Sequence, residues 1–422
     1  ITDYSQVEQT LNTNSRKLQA SRCMDCGVPF CHWACPIGNK QPEWQDALFK
    51  GKWKEAYEVL SSTCDFPEFT GRICPALCEK SCVLKLSCDQ PVTIRENEAA
   101  IVEAAFREGY IQVQHPQRNG KKVAVVGAGP AGLVAANQLN LKGYTVTLFD
   151  KDEAAGGLLR FGIPNFKLDK NVIDRRMKIL AAEGIQFEMG VEIDVNHLPE
   201  GFDAYCICTG TPTARDLSIP GRELKGIHFA LEMLAQQNRI LEGQTFPKDK
   251  LVNAKGKKVL VIGGGDTGSD CIGTSVRQGA TSVTQIEIMP KPPVGHNPST
   301  PWPQWPVVFK TTSHEEGCTR RWCLTSNQFL GKNGKVTGVE VEEVEWTPTT
   351  DSGRPTMNLT GKKEVIEADM VLLAMGFLKP EQPKFAENVF LAGDAATGAS
   401  LVVRAMAGGR KAAADIDHYL VK

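Results

Sequence analysis

The sequence predicts an α/β protein in which a helical N-terminal domain precedes two interleaved α/β units. Three observations support this fold class. Nine of the 14 cysteines lie between residues 23 and 88, the pattern of a strand, a glycine turn, a helix and a second strand occurs twice, and a last strand and helix close the chain. With 422 residues, the chain is long enough for two to four domains with separate cores.

The composition excludes several classes of partner. Lys and Arg number 48 and Asp and Glu 49, so the formal charge of −1 leaves no basic surplus for a nucleic-acid backbone. No stretch approaches the ~18 uninterrupted apolar residues that a membrane helix needs. We therefore expect neither a nucleic acid nor a membrane as partner. We also expect a cytoplasmic protein, in which clustered thiols hold metal more often than they form disulfides.

Residues 1–118 are predicted to form the helical domain. Apolar residues recur near the 3.6-residue helical period at 43–60 and at 96–110, prolines interrupt the pattern, and no strand pattern persists. Short cysteine spacings dominate this domain, in the runs Cys23, Cys26, Cys31, Cys35 and Cys74, Cys78, Cys82. The first run, C-x2-C-x4-C-x3-C-P, favours cubane iron–sulfur clusters. Zinc is the main alternative, although only His32 lies nearby, and disulfides are a weaker one.

The first α/β unit opens with VAVVGAGPAG at residues 123–132. Gly127 permits a tight turn, Gly129 lets the backbone approach a pyrophosphate, and Gly132 lets the helix pack closely on the strand. Asp150 ends the next strand, where a carboxylate accepts hydrogen bonds from a ribose. This is the Rossmann fingerprint, and it predicts a dinucleotide at the N-terminus of the helix.

The second unit repeats the arrangement as VLVIGGGDTG at residues 259–268, with Gly263, Gly265 and Gly268 at the three positions. Glu287 ends its second strand, and Ile288 follows it. Because a carboxylate at the ribose repels a 2′-phosphate, this site favours NADH over NADPH. Lys291 is the nearest cation in the sequence.

Two dinucleotide sites imply two dinucleotides, of which one is predicted to be a bound FAD. In the C-terminal text FLAGDAATGASLVV, a strand end can place Asp394 against flavin ribityl hydroxyls. A helix that begins near Ser400 to Val402 can direct its dipole at the isoalloxazine edge. We therefore place FAD in the first unit. CICTGT at 206–211 and LLAMGF at 372–377 are interpreted as the strand ends that return to each cofactor, although buried strands that end at a glycine explain them equally well.

Longer phrases resemble a known family. SRCMDCGVPFC, FPEFTGRICPALCEKSC, PVTIRENE, GGLLRFGIPNFKLDK, GGGDTGSDCIGTSVRQGA, AGDAATGASLVV and the tryptophan-rich text at 298–306 are similar to signatures of the small (β) subunit of glutamate synthase. They also resemble the equivalent C-terminal region of NADH-dependent glutamate synthase and the N-terminal half of dihydropyrimidine dehydrogenase. The resemblance covers nearly the whole chain, but the text is shorter than is usual in the family near 310–330 and 383–388.

The resemblance implies two [4Fe-4S] clusters in the N-terminal domain. One would be held by Cys23, Cys26, Cys31 and Cys82, and the other by Cys35, Cys74, Cys78 and a non-cysteine ligand that corresponds to Glu98. Spacing by itself allows Cys64 or Cys88 in place of Glu98.

The predicted domains and binding residues follow from these patterns. Residues 1–118 form the iron–sulfur domain, 119–255 and 376–422 the FAD-binding domain, and 256–375 the NAD(P)H-binding domain. The residues expected at FAD are Gly127, Gly129, Pro130, Ala131, Gly132, Asp150, Gly157, Thr209, Gly210, Gly393, Asp394, Ser400, Leu401 and Val402. Those expected at the nicotinamide nucleotide are Gly263, Gly265, Asp266, Thr267, Gly268 and Glu287.

The resemblance implies an oxidoreductase that passes electrons from NAD(P)H through FAD and the clusters to a glutamate synthase large subunit, for synthesis of L-glutamate from 2-oxoglutarate and glutamine. Two alternatives remain open. The same electron-input module can serve another acceptor, such as ferredoxin, a pyrimidine reductase domain or an electron-bifurcating partner. A non-catalytic scaffold with a zinc-bound N-terminal domain is the other. The sequence assigns no catalytic residue.

Overall fold

The computed structural model describes residues 1–293, 300–304, 311–347 and 355–421. The described part of the predicted N-terminal domain is helical, as expected. Its helices are α1 (Thr13–Ser21), α2 (Phe30–Ala34), α3 (Gln41–Phe49), α4 (Trp53–Ser61), α5 (Pro67–Ile73), α6 (Leu77–Lys80), α7 (Leu84–Cys88) and α8 (Ile94–Arg107). The continuous pattern at 43–60 is divided into α3 and α4, because Gly51 adopts φ +75°, a left-handed conformation that ends a helix.

The first α/β unit begins with β1 (Lys122–Val126), α9 (Pro130–Leu141) and β2 (Thr145–Asp150). It continues with α10 (Leu158–Phe161), α11 (Lys170–Ala182), β3 (Gln186–Met189) and β4 (Ala204–Ile207). Four of the five residues of β1 and all of β4 are buried, which is typical of parallel strands covered on both faces. Proline at the first position of α9 suits a helix start, since its missing N–H has no partner there.

The second unit contains β5 (Ile227–Phe229), α12 (Ala230–Leu241), β6 (Lys258–Ile262), α13 (Asp266–Gln278), β7 (Ser282–Glu287) and β8 (Thr319–Trp322). It also carries an antiparallel sheet of β9 (Leu324–Lys332), β10 (Lys335–Thr347) and β11 (Thr356–Glu367), followed by β12 (Met370–Leu373). The structure differs here from the expected boundary at 255/256. Strand β5 pairs in parallel with β12, so the chain enters the second sheet well before residue 256.

The chain then returns to the first unit through β13 (Val389–Leu391), α14 (Asp394–Thr397) and α15 (Val402–Val421). Among the described residues, the two parallel sheets have the strand orders β13-β4-β1-β2-β3 and β5-β12-β6-β7-β8. Each glycine turn therefore follows the central strand of its sheet, β1 or β6. Ligands of open parallel sheets bind outside the carboxyl ends of such strands, so both predicted nucleotide sites have the expected place in the fold.

The N-terminal helices and the first unit share one hydrophobic core, which runs from Trp44 and Phe66 to Val123 and Leu148. Two buried carboxylates join the same parts. Asp65 accepts from Arg410 at 2.6 Å, and Glu68 pairs with Arg176 on α11. Removing one partner of such a buried pair costs about 3–5 kcal/mol, because the other charge stays buried.

The two α/β units contact each other through a buried ion pair and a stacked arginine. Lys167 Nζ lies 2.6 Å from Asp270 Oδ1 on α13, and the Arg277 guanidinium lies 3.6 Å from the centre of the Phe166 ring. Burial raises the pKa of Asp270 to about 6, and Lys167 opposes this shift. Within the described residues, no helix has the length and apolar character that a membrane crossing requires.

Candidate functional site

The first glycine turn leaves open space at one of its three glycines. A Cβ on Gly127, which adopts φ +107°, would lie 2.4 Å from the Cys208 carbonyl oxygen, and one on Gly132 would lie 1.8 Å from the Gly127 carbonyl oxygen. At both positions, backbone atoms of the protein leave no room for a side chain. A Cβ on Gly129 would meet nothing within 4 Å, although Gly129 directly precedes α9. This cradle at a helix N-terminus fits a pyrophosphate.

Several predicted residues surround that turn. Gly157 adopts φ +51°, and a Cβ there would lie 2.8 Å from Gly129 Cα. Asp150 Oδ2 accepts a hydrogen bond from Ala128 N at 2.6 Å, which holds the carboxylate against the turn. Thr209 and Gly210 follow β4, next to the Cys208 carbonyl that Gly127 approaches.

The C-terminal phrase lies against the same helix start. Gly393 adopts φ +62°, and a Cβ on it would lie 2.6 Å from Ala131 Cβ. The Asp394 carboxylate accepts from Ser400 Oγ at 2.6 Å, and burial raises the pKa of this carboxyl. Helix α15 begins at Val402, directly after Ser400 and Leu401. The structure thus brings the FAD residues predicted at the first turn, the β4 end and the C-terminal phrase to one edge of the first sheet.

The second turn repeats this geometry. A Cβ on Gly263 would lie 2.2 Å from the Ala374 carbonyl oxygen, and one on Gly268 would lie 2.3 Å from the Gly263 carbonyl oxygen. A Cβ on Gly265 would again meet nothing within 4 Å. The turn opens into a cleft of about 420 Å³, which Asp266, Thr267 and Glu287 also line.

Sequence reasoning missed two parts of this cleft. Leu324, Thr325 and Ser326 at the start of β9, together with Leu217, line it from the antiparallel sheet and the crossover. The Ser326 hydroxyl is buried and has no hydrogen-bond partner among the described residues, which fits a site that receives a polar ligand. No motif marks these residues, because their place depends on strand pairing that is remote in sequence.

Glu287 is held at the second turn as Asp150 is at the first. Its Oε2 accepts from Gly264 N at 2.7 Å, and its Oε1 accepts from Met289 N at 3.0 Å. A second cation that the sequence did not reveal lies near it. Burial lowers the pKa of Arg320, and the Glu287 carboxylate opposes that shift. Lys291 instead lies 5.2 Å from the centre of the Trp322 ring.

Four of the predicted cluster ligands face one another in the N-terminal domain. Cys23, Cys26, Cys31 and Cys82 line the same cavity. Burial raises the pKa of the Cys31 thiol to about 12, and the nearby thiols of Cys23 and Cys82 also raise it. Four sulfur atoms around one cavity, of which the Cys31 thiol is difficult to ionise without a metal, fit a metal cluster.

The second predicted group also comes together. Burial raises the pKa of the Cys74 thiol to about 12, with Glu98 and Cys35 adding to the shift, and Cys78 interacts with the same groups. Among the described residues, no three His, Cys, Asp or Glu side chains lie where they could hold a single metal ion. Thiolates are the usual ligands of iron–sulfur clusters, so the gathered side chains of Cys35, Cys74 and Cys78 fit such a cluster.

The three candidates for the last ligand of the second cluster have different surroundings in the structure. Glu98 is buried, Thr70 Oγ1 and Asn39 Nδ2 donate to its carboxylate, and burial raises its pKa to about 7. Cys64 lies behind this group, with its sulfur 3.3 Å from Thr70 Oγ1. Cys88 is exposed, and its thiol donates to the Leu84 carbonyl oxygen. Glu98 and Cys64 therefore lie beside the second group.

Comparison with known proteins decides the family. Residues 1–110 match the family described as dihydropyrimidine dehydrogenase domain II, 4Fe-4S cluster, and residues 121–298 match the pyridine nucleotide-disulphide oxidoreductase family. The glutamate synthase [NADPH] small chain of Mycobacterium tuberculosis H37Rv is 44% identical over 453 residues, covering 100% of this chain and 92% of that protein. The chain belongs to the glutamate synthase small-chain family. It is a pyridine-nucleotide-dependent oxidoreductase with a 4Fe-4S domain, and its families imply FAD, NAD(P)H and iron–sulfur cofactors.

Other relatives carry the same module within a longer chain. Glutamate synthase [NADH] of Saccharomyces cerevisiae is 39% identical over 462 residues, which is 100% of this small-chain homologue but 21% of the yeast protein. Solved structures support the fold alone. Mycobacterium tuberculosis FprA with NADPH has a TM-score of 0.58 at 17% identity, over 71% of this chain and 84% of that one. Thioredoxin reductase of T. acidophilum has a TM-score of 0.50 at 22% identity, over 72% and 100%.

Two stretches that bear on the family resemblance lie partly outside the described residues. The tryptophan-rich text at 298–306 is described only at 300–304, where Trp302 packs against Phe30 with tilted rings whose centres lie 4.7 Å apart. The shortened text near 310–330 is described from residue 311 onward. The Trp302 contact joins the second unit to the start of α2, next to Cys31.

Proposed function

We propose that this small chain takes electrons from NADH and delivers them, through FAD and two [4Fe-4S] clusters, to a glutamate synthase large subunit. The observation that carries the proposal is the presence, in one chain, of two cradled dinucleotide turns and two gathered sets of cluster ligands. FAD, when bound, converts two-electron transfer from a nicotinamide into single-electron transfer.

In this proposal the first unit binds FAD and the second unit binds the nicotinamide nucleotide. In the first, Gly129 and the start of α9 bind the pyrophosphate, Asp150 binds the ribose, and Asp394 orients the ribityl chain. In the second, Gly265 and Glu287 bind a nucleotide that exchanges with solvent through the open cleft. The shared core of the N-terminal helices and the first unit supports this division, because it holds the cluster ligands at a constant distance from the flavin site.

Anaerobic titration of the purified protein with NADH tests this function. We expect about eight iron atoms per chain by metal analysis, followed by bleaching of the flavin absorbance and then by the EPR signals of reduced clusters. This order follows from the proposed route, because the nicotinamide passes its electrons to FAD before FAD passes them singly to the clusters. Stoichiometric zinc with little iron would overturn the proposed electron transfer and favour a non-catalytic scaffold with a zinc-bound N-terminal domain.

The large subunit is proposed as acceptor because the relatives that match the whole chain are glutamate synthase small chains. The yeast relative carries the module at the same length inside one long chain named glutamate synthase. Another redox acceptor remains the second candidate, because the 4Fe-4S family matched by residues 1–110 takes its name from dihydropyrimidine dehydrogenase. Glutamate formation on mixing with a glutamate synthase large subunit separates the two.

The preference for NADH rests on Glu287. Its carboxylate is fixed by two backbone N–H groups where a 2′-phosphate would lie, and Ile288 next to it offers no donor. Arg320 is the structural argument for NADPH, and the matched bacterial small chains are named for NADPH. We propose NADH because backbone N–H groups hold the Glu287 carboxylate at the second glycine turn, where the adenosine ribose would bind.

Replacing Glu287 with Ala and Ile288 with Arg is expected to shift the kcat/KM ratio toward NADPH by about 1–3 kcal/mol, the scale of charge-assisted hydrogen bonds. Glu287→Gln is the matched control, because it keeps an acceptor for Gly264 N and removes only the charge. It should lose part of the NADH preference without gaining the full NADPH activity. An unmodified protein that already prefers NADPH would show that Arg320, rather than Glu287, sets the choice.

A further inference from the structure

Helix α3 carries two buried amide side chains that face the first set of cluster ligands. Gln41 and Gln45 are each 1% exposed and lie one turn apart, so they share a helix face. Both line the cavity formed by Cys23, Cys26, Cys31 and Cys82. Buried amides are costly unless their donors and acceptors have partners, so each free group on this face needs an explanation.

Gln45 is satisfied at one end only. Its Oε1 accepts from Asn97 Nδ2 at 2.8 Å, and Asn97 is itself fully buried. Gln45 Nε2 is buried and has no acceptor among the described residues. The amide therefore offers two N–H donors to a cavity lined by sulfur.

Gln41 connects this cavity with the second group of ligands. Its side chain hydrogen-bonds the Cys35 thiol, although the residue also lines the cavity of the first group. The face of α3 thus lies between the two ligand sets.

We propose that Gln45 Nε2 donates a hydrogen bond to a sulfur of the cluster held by Cys23, Cys26, Cys31 and Cys82, and that this bond raises the reduction potential of that cluster. The proposal rests on the proposed function, which assigns a cluster to these thiols. Sulfides and thiolates of a cluster carry negative charge and accept hydrogen bonds, so the N–H end of the amide faces them. Donation stabilises the reduced state more than the oxidised state, because reduction adds negative charge.

Gln45→Leu tests the proposal, since leucine has a side chain of similar size but no N–H donors. We expect unchanged iron content and a more negative midpoint potential for one cluster in an EPR-monitored redox titration, with the other cluster unshifted. In pulsed EPR after exchange into D2O, the native protein should show an exchangeable proton coupled to the reduced cluster, and Gln45→Leu should lack it. Asp46→Asn is the matched control, because Asp46 lies on the exposed face of the same helix and pairs with Lys50.

Two results would overturn the proposal: intact clusters with unshifted potentials in Gln45→Leu, or an equal shift in Asp46→Asn. If Gln45→Leu loses iron, Gln45→Met supplies the same test with a more flexible side chain, and an exchangeable proton retained in Gln45→Met overturns the proposal as well. Zinc in place of iron in the native protein would overturn the proposed function together with this inference, whereas iron with unshifted potentials overturns this inference alone.

Discussion

Gly129→Val is expected to give a folded protein that contains no FAD. A Cβ at this position meets no protein atom within 4 Å, and the backbone angles of φ −77° and ψ −175° are extended and open to any residue. The side chain therefore enters only the space of the pyrophosphate. Flavin absorbance of the purified protein, together with its circular dichroism and melting temperature, measures the effect.

Gly265→Val is the matched variant in the second unit. Its Cβ also meets no protein atom within 4 Å, and its backbone angles, φ −83° and ψ −168°, are nearly the same. We expect a yellow protein with normal FAD content that NADH no longer reduces in an anaerobic mixing experiment. Exchanged outcomes, with Gly265→Val losing flavin and Gly129→Val retaining it, would reverse the assignment of the two units.

The two turns could be predicted from the sequence because each depends on local contacts. Gly127 and Gly263 need positive φ, and Gly132 and Gly268 need close approach to their own turns, so glycine is required within a stretch of ten residues. The fold class followed from the same repetition. Family resemblance then divided the cysteines into two sets, and this division stays a prediction.

Other features depend on contacts that are remote in sequence. Strand β5 is three residues long, and it belongs to the second sheet only because β12 pairs with it about 140 residues later. The cleft residues at the start of β9 and the Arg320 side chain near Glu287 reach the nucleotide site in the same indirect way. The sequence gives no sign of a role for Gln45, because its place beside the cysteine-lined cavity depends on how the helices pack.

Cys23→Ser and Cys35→Ser are expected to damage different clusters. Cys23 lines the cavity with Cys26, Cys31 and Cys82, whereas Cys35 interacts with Glu98 and is hydrogen-bonded by Gln41. Serine is a poor ligand for iron in these clusters because its hydroxyl is harder to ionise than a thiol. Each variant should lose roughly half of about eight iron atoms, with a different EPR signal missing in each case.

The contrast between the two variants is the informative result, because loss of iron alone does not identify a site. Cys88→Ser serves as control: this cysteine is exposed and, in the part of the chain that the structure describes, its thiol donates only to backbone carbonyl oxygens, so iron content and both signals should stay unchanged. Loss of the same signal from Cys23→Ser and Cys35→Ser would contradict the division into two sets. Loss of all iron from both would show that the N-terminal helices fold only around both clusters, since cysteines of both sets pack against one hydrophobic core.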